Sequence, residues 1–416
     1  MTRAQVPGAT PGSTTAQTQG GAYGRSYLAI PGPSVMPDVV LQAMHRAAPN
    51  IYAGELIEMT HSLIPDLRQV ARTQHHVAIY IGNGHAAWEA ALANTIAPGE
   101  TVLVPASGLF AHGWAEIARG VGAEARVVDF GVTGGWDMAR IGEILRADTD
   151  HRIKAVMAVH VDTSTSIRND VPGLRALLDE LGHPALLMAD CIASMGCDRF
   201  EMDAWGVDVA VTASQKGLMT PPGLGFVFFN DRADAARKGL ERVSRYWDWS
   251  PRADPERYYQ FFAGTAPTHH LYGLRAALDL ILDEEMEQVW ARHDLLARAI
   301  WAACDVWGQG GALRLNVSDP DLRSRAVTAL HLPAPGGSDL RNWVESHLGL
   351  TLGIGLGMSD PEDPQGDGYF RFGHMGHVNG QMIMAMLGGV QTGLIALDIP
   401  HGKGAVEAAA QVLAQR

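Results

Sequence analysis

The sequence predicts an α/β protein: a large domain on a mostly parallel seven-stranded sheet, followed by a smaller C-terminal α+β domain. Three observations carry this expectation. Seven short apolar runs lie between Val77 and Phe229 and alternate with helix-like segments. Most of these runs are apolar throughout rather than at every second residue, the pattern of strands covered on both faces. The chain has 416 residues, 47% of them apolar, enough to bury more than one core.

The first run is Val77–Ile81, followed by Gly82, Asn83 and Gly84 and then a helix-like AAWEAALAN. Pro98-Gly99 turns the chain into a second strand, Thr101–Val104, and a helix through Trp114 and Ile117 follows. Arg126–Phe130 is the third strand. Ala155–His160 and Ala185–Ala189 are apolar runs that end on or beside a polar residue. Asp208–Ala213 and Phe226–Phe229 complete the set. From Thr268 to Trp307, Leu, Ala and Ile recur at helical spacing, a long helix that is broken or bent. Beyond it, Leu313–Asn316, Ala326–Leu330 and Tyr369–His374 read as strands and Asp339–Ser346 as a helix. The expected organisation is a flexible tail over 1–25, a large domain over 26–282 and a small domain over 283–416.

Bulk composition narrows the function classes. The net charge of −13 disfavours nucleic acid and anionic lipid as partners. No apolar run approaches the roughly 18 residues needed to span a bilayer. The N-terminal MTRAQVPGATPGSTTAQTQGG has no apolar segment of the signal-peptide kind. Cys191, Cys197 and Cys304 are too few and too irregular for a disulfide framework or a zinc site, so a reducing cytoplasm is expected.

Ligands of open α/β sheets bind beyond the carboxyl ends of the strands. The polar residues there are Asn83, Ser107, His160, Asp190 and Ser214. Lys216 follows closely, in Thr212-Ala-Ser-Gln-Lys-Gly217. A lysine at a strand–loop junction is ordinarily a solvated surface group. Here Gln215 supplies an amide beside it, and Pro221-Pro222-Gly223 fixes the next loop. Asp190 ends an apolar run. Its ordinary reading is a turn or cap residue. A buried carboxylate in that place can also keep a pyridine nitrogen protonated, which turns the ring into an electron sink. Asn83-Gly84-His85 lies between strand and helix, where backbone N–H groups favour an anion. Gly353-Ile-Gly-Leu-Gly357 has no following helix and reads as a loop bordering the site, not as a dinucleotide turn.

The ordered set GNGHAAWEA, HVDTSTS, MADCIASMG, TASQKGLMTPPG and FRFGHMG resembles the class V aminotransferases, in their alanine–glyoxylate and serine–glyoxylate branch. The likeness runs from Ile30-Pro-Gly-Pro-Ser34 into the C-terminal domain. It implies fold type I, the cofactor pyridoxal phosphate, and a homodimer with its active site at the subunit boundary. The activity implied is ping-pong transfer of an amino group from a small amino acid to a small 2-oxo acid such as glyoxylate or pyruvate. It also implies residue roles. Lys216 resembles the lysine that carries the cofactor, and Asp190 the partner of the pyridine nitrogen. Phe110 resembles the stacking aromatic, and Thr163 a hydroxyl contact to cofactor or substrate. Asn83, Gly84, His85 and Gln215 resemble the phosphate cradle. Thr265 resembles a phosphate contact given by the other subunit. Arg371 and Gly32 resemble the substrate-binding positions, with the planar fork of Arg371 suited to a carboxylate.

Three positions depart from the family pattern. Phe262 stands where a tyrosine is frequent, Asn83 where a serine is frequent, and Asn50-Ile-Tyr-Ala-Gly-Glu55 replaces a segment that shapes the substrate pocket. The alternative on the same cofactor is a lyase, desulfurase or aldolase. A desulfurase needs a nucleophilic cysteine on a mobile loop, and Cys304 lies in an apolar, helix-like stretch. A nicotinamide enzyme needs a dinucleotide fingerprint after its first strand and an acid after its second, where this chain has Pro105-Ala106-Ser107. A silent binding protein has no use for Lys216, Asp190 and Arg371 together.

Overall fold

The structure is a computed structural model that describes residues 20–360 and 362–415. The expected tail over 1–25 lies outside these residues as far as residue 19. Gly20–Ala22 form a short 3-10 turn, and Arg25 pairs with Asp38 at 3.0 Å.

The large sheet has seven strands. Their spatial order is His76–Gly82, Gly223–Phe229, Val209–Ala213, Leu186–Asp190, Ile153–Val159, Thr101–Ala106 and Glu124–Asp129. All run parallel except Gly223–Phe229, which is antiparallel to both neighbours. Alternate residues feed two separate cores. Ile79, Leu103, Val156, Leu187, Ala210 and Phe226 face one, and Tyr80, Val104, Met157, Met188, Val211 and Val227 the other. Burial on both faces is why most of these runs carry no polar alternation.

The long helical stretch is two helices, Thr268–Glu284 and Met286–Gln309. The break falls at Glu285, whose φ of +69° no helix can include. The second sheet has the order Tyr27–Ala29, Leu350–Ile354, Tyr369–Gly373, Val327–His331 and Arg314–Leu315. One of its faces packs Leu330, Leu352, Phe370 and Phe372 against helical residues such as Ile300, Leu340 and Met386. The strand at the start of the 26–282 segment thus joins the second sheet and not the first. It pairs in parallel with Leu350–Leu352, and the chain then crosses to build the large sheet. Among the described residues, no helix is long and apolar enough to cross a membrane.

Candidate active site

The carboxyl ends of five of the six parallel strands, all but Glu124–Asp129, open on one pocket. Gly84, His85, Trp88, Phe110, Val161 and Thr163 line one part, and Asp190, Ile192, Ala193, Gln215 and Lys216 the rest. Seven of the residues singled out from the sequence therefore meet in one place. Asn83, Gly32, Thr265 and Arg371 do not line this pocket.

Asp190 is the last residue of a fully buried strand. Its Oδ1 accepts the Ile192 N–H at 2.7 Å. Burial raises its carboxyl to about 7, against the lowering effect of that N–H and of the nearby Trp88 indole, which makes no full hydrogen bond of its own. Lys216 is held from the other side by the loop Pro31-Gly32-Pro33-Ser34. Its amine donates to the Pro31 carbonyl. Ser34 Oγ donates to the Lys216 carbonyl at 2.7 Å, and Ser34 N–H to the Gln215 carbonyl at 2.8 Å. Gly32 lies against the lysine: a Cβ there would sit 2.5 Å from Nζ. Burial, then the charge of Arg371, pulls the Lys216 amine down to about 8, with Asp190 opposing.

Arg371 sits on Tyr369–Gly373 in the second sheet and is buried. Its Nε donates to the Ile354 carbonyl and its Nη1 to the Thr163 carbonyl, both at 2.7 Å. Burial lowers it to about 10, so it stays a cation at neutral pH. The arginine therefore reaches from one sheet to the rim of the pocket on the other.

Asn83 stands at the start of the pocket's first helix. Its side chain points back along the helix Gly84–Ala93, where Oδ1 accepts the His85 and Ala86 N–H groups at 3.1 and 3.4 Å. It caps the helix, the common use of Asn at this position, and leaves Gly84 and His85 to form the pocket wall. Burial lowers the pKa of His85, so the ring is neutral at neutral pH. Gly84 packs closely on Ile192: a Cβ would meet Ile192 Cδ1 at 2.4 Å, so the isoleucine would have to move to admit one. Thr265 is exposed. Of the other strand-end polar residues, Ser214 donates to the Pro221 carbonyl and Ser107 accepts from Asn169. His160 is buried against Ser194 and pushed down to about 3. These three hold loops together.

The sequence reading missed Trp88, Val161, Ile192 and Ala193. A signal was present for Trp88, which stands one helical turn after Gly84 and so shares its face. Ile192 and Ala193 follow Asp190 directly. Trp88 and Phe110 meet edge to face with ring centroids 6.3 Å apart. Of the run read as a loop, Gly353 and Ile354 end the strand Leu350–Ile354, and Gly357 lies beside Leu109, where a Cβ would sit 2.6 Å from it, next to Phe110. Cys191, Cys197 and Cys304 are all buried, with thiol pKa values raised by burial, so none is a nucleophile on a mobile loop.

Residues 26–355 match the family model "Aminotransferase class-V". The chain is 34% identical over 396 residues to serine–glyoxylate aminotransferase of Methylorubrum extorquens, covering 93% of this chain and 95% of the relative. It is 33% identical over 389 residues to L-aspartate–glyoxylate aminotransferase of Paracoccus denitrificans, covering 92% and 94%. The crystal structure of alanine–glyoxylate aminotransferase from Nostoc sp. superposes with a TM-score of 0.80 at 26% identity, covering 91% of this chain and 98% of the other.

Proposed function

From the premise that this chain belongs to the class V aminotransferases, we propose that it moves an amino group from a small amino acid, alanine or serine, to glyoxylate or pyruvate. The observation that carries this reading is one pocket that is lined by both Lys216 and Asp190, with the charge of Arg371 felt at the lysine amine.

The enzyme uses pyridoxal phosphate, and the pocket fits that group. Gln215 Oε1 and Trp88 Nε1 are buried in its wall without hydrogen-bond partners among the described residues, an unsatisfied state that a polar ligand relieves. Phe110, Val161 and Ile192 offer apolar surface to a flat ring. The burial that raises Asp190 is offset when a ring N–H⁺ lies beside it, since an ion pair favours the charged form of both groups. The start of the helix Gly84–Ala93 favours a phosphate.

When bound, the cofactor supplies a carbonyl that takes up the substrate's amino group and a ring that withdraws electrons from Cα. The chain's own residues do the rest. Asp190 holds the ring proton. Gly84, His85 and Gln215 hold the phosphate, and Phe110 covers the ring. Arg371 orients the substrate by its carboxylate. The Lys216 Nζ, lowered toward neutrality, takes the Cα proton as a free amine and returns it. Running the same steps backwards on a 2-oxo acid completes a ping-pong cycle.

Thr265 does not line its own chain's pocket, which agrees with a phosphate contact made to a second copy in a homodimer. A cytoplasmic setting agrees with three free, buried cysteines. The test is a half-reaction screen. The yellow holoenzyme is mixed with single amino acids, and loss of the lysine-bound cofactor's absorbance is followed. Rapid conversion by alanine or serine is expected. A large preference for aspartate or glutamate overturns the donor assignment.

A further inference from the structure

Asp162 is fully buried. Hydrogen-bond donors surround it, two to each oxygen. Oδ2 accepts the Phe110 N–H at 2.9 Å and the Ala111 N–H at 3.3 Å. Oδ1 accepts the Ser164 N–H at 3.0 Å and the Ser164 hydroxyl at 2.5 Å. The same hydroxyl oxygen accepts the Leu109 N–H at 3.0 Å. Three successive N–H groups at the start of the helix Leu109–Gly120 are thereby gathered on one carboxylate and its serine. These are the donors that a helix leaves without internal partners.

A second observation shows that the approach is specific. Gly108 lies directly over the carboxyl group, and a Cβ there would be 2.4 Å from Asp162 Cγ. Only glycine lets the helix start come this close. On its other side, Asp162 leads directly into Thr163, whose carbonyl accepts Arg371 Nη1 at 2.7 Å. The charge of Asp162 is also felt at both Arg371 and Asp190.

We propose that Asp162 is a positioning residue of this active site: one buried carboxylate fixes the ring of Phe110 on one side and, on the other, the Thr163 carbonyl that steadies Arg371. The inference rests on the roles proposed above for Phe110 and Arg371. It goes beyond a helix cap, because a cap would stabilise the helix without linking the cofactor's stacking wall to the substrate's carboxylate clamp.

The experiment compares Asp162→Asn with Phe110→Ala and Arg371→Lys in the full chain. Two quantities are read besides melting temperature. One is the affinity of the cofactor-free protein for pyridoxal phosphate, followed by quenching of tryptophan fluorescence. The other is the split between KM and kcat for the amino donor. Phe110→Ala should weaken cofactor affinity with little change in KM. Arg371→Lys should raise KM with little change in cofactor affinity. Asp162→Asn should do both, each by about tenfold, the order of a lost helix cap. A lowered melting temperature with affinity and KM at parent values makes Asp162 merely structural and overturns the proposal. Silence of both reference variants means that the site reading itself has failed, and the proposal with it. If Asp162→Asn does not fold, Ser164→Ala removes one donor to the carboxylate and the acceptor of the Leu109 N–H. It should shift both quantities in the same direction by about threefold, and parent values in that variant overturn the proposal.

Discussion

Replacing Gly32 with alanine adds one methyl group at the point where the N-terminal loop meets the lysine. The new Cβ would lie 2.5 Å from Lys216 Nζ and 2.6 Å from both Cδ and Cε. Ordinary contacts between such atoms are about 3.5–4.0 Å, so the lysine must retreat by about 1 Å. Its end is flexible and can do so without unfolding the protein. The backbone carries its own cost, because Gly32 has a φ of +96°. A side chain there adds about 1–3 kcal/mol of strain. A displacement of about 1 Å at a reacting group costs about a hundredfold in rate, ~2.7 kcal/mol of barrier. The expected result for Gly32→Ala is a folded, cofactor-binding enzyme whose kcat falls by about a hundredfold while the donor's KM changes little. Gly131→Ala is the control. Gly131 has a φ of +79°, and a Cβ added to it would meet nothing within 4 Å, so it should lose similar stability and no activity. The assay is steady-state kinetics beside a thermal melt. A Gly32→Ala enzyme with kcat within about threefold of the parent would show that the loop does not position the lysine.

Lys216→Ala should abolish turnover and leave the fold intact, since among the described residues its amine is bonded only to the Pro31 carbonyl; transamination near the parent rate refutes the assignment. Arg371→Lys keeps the charge but loses the fork, and efficiency toward α-amino acids should fall by about tenfold to a thousandfold, ~1.4–4 kcal/mol. The resting absorbance of that variant should hardly change, and unchanged efficiency counts against the carboxylate role. Asp190→Asn should slow turnover by several orders of magnitude; a rate within about threefold of the parent excludes the ring-nitrogen role. The same variant has a stability signature in the cofactor-free protein. Burial raises the Asp190 carboxyl from 3.8 to about 7, so between those values the folded state holds a proton that the unfolded chain has released. The stability tied to that proton is complete below about pH 4 and is lost as pH rises through about 7. Cofactor-free Asp190→Asn should therefore melt above the cofactor-free parent at pH 8, with the gap closing on acidification. A gap that is constant or reversed across that range refutes the burial argument.

Much of the fold was legible because burial on both faces leaves a local mark. A strand such as Leu186–Asp190 is apolar at every position but its last, and the residue that breaks the pattern is the one at the ligand end. Asp190, Lys216 and the Gly84-His85 turn could be read in this way, and their convergence follows from the rule that parallel strands present their carboxyl ends together. The family likeness added Phe110, Thr163 and Arg371, which no periodicity marks. Only the tertiary structure decided how polar groups are shared. The oxygen of Asn83 is spent on its own helix, a choice made by local geometry that the residue type leaves open. Trp88 enters the pocket because of which helix face meets the sheet. Tyr27–Ala29 is too short to announce itself, and it becomes a strand only because Leu350–Leu352 offers it an edge. Asp162 and Gly108 form a pair only in space, where a missing Cβ lets a carboxylate approach the helix start. Apolar burial is recorded residue by residue along the chain. Hydrogen bonds and charges act between residues far apart in it, so their partners appear only when the chain is folded.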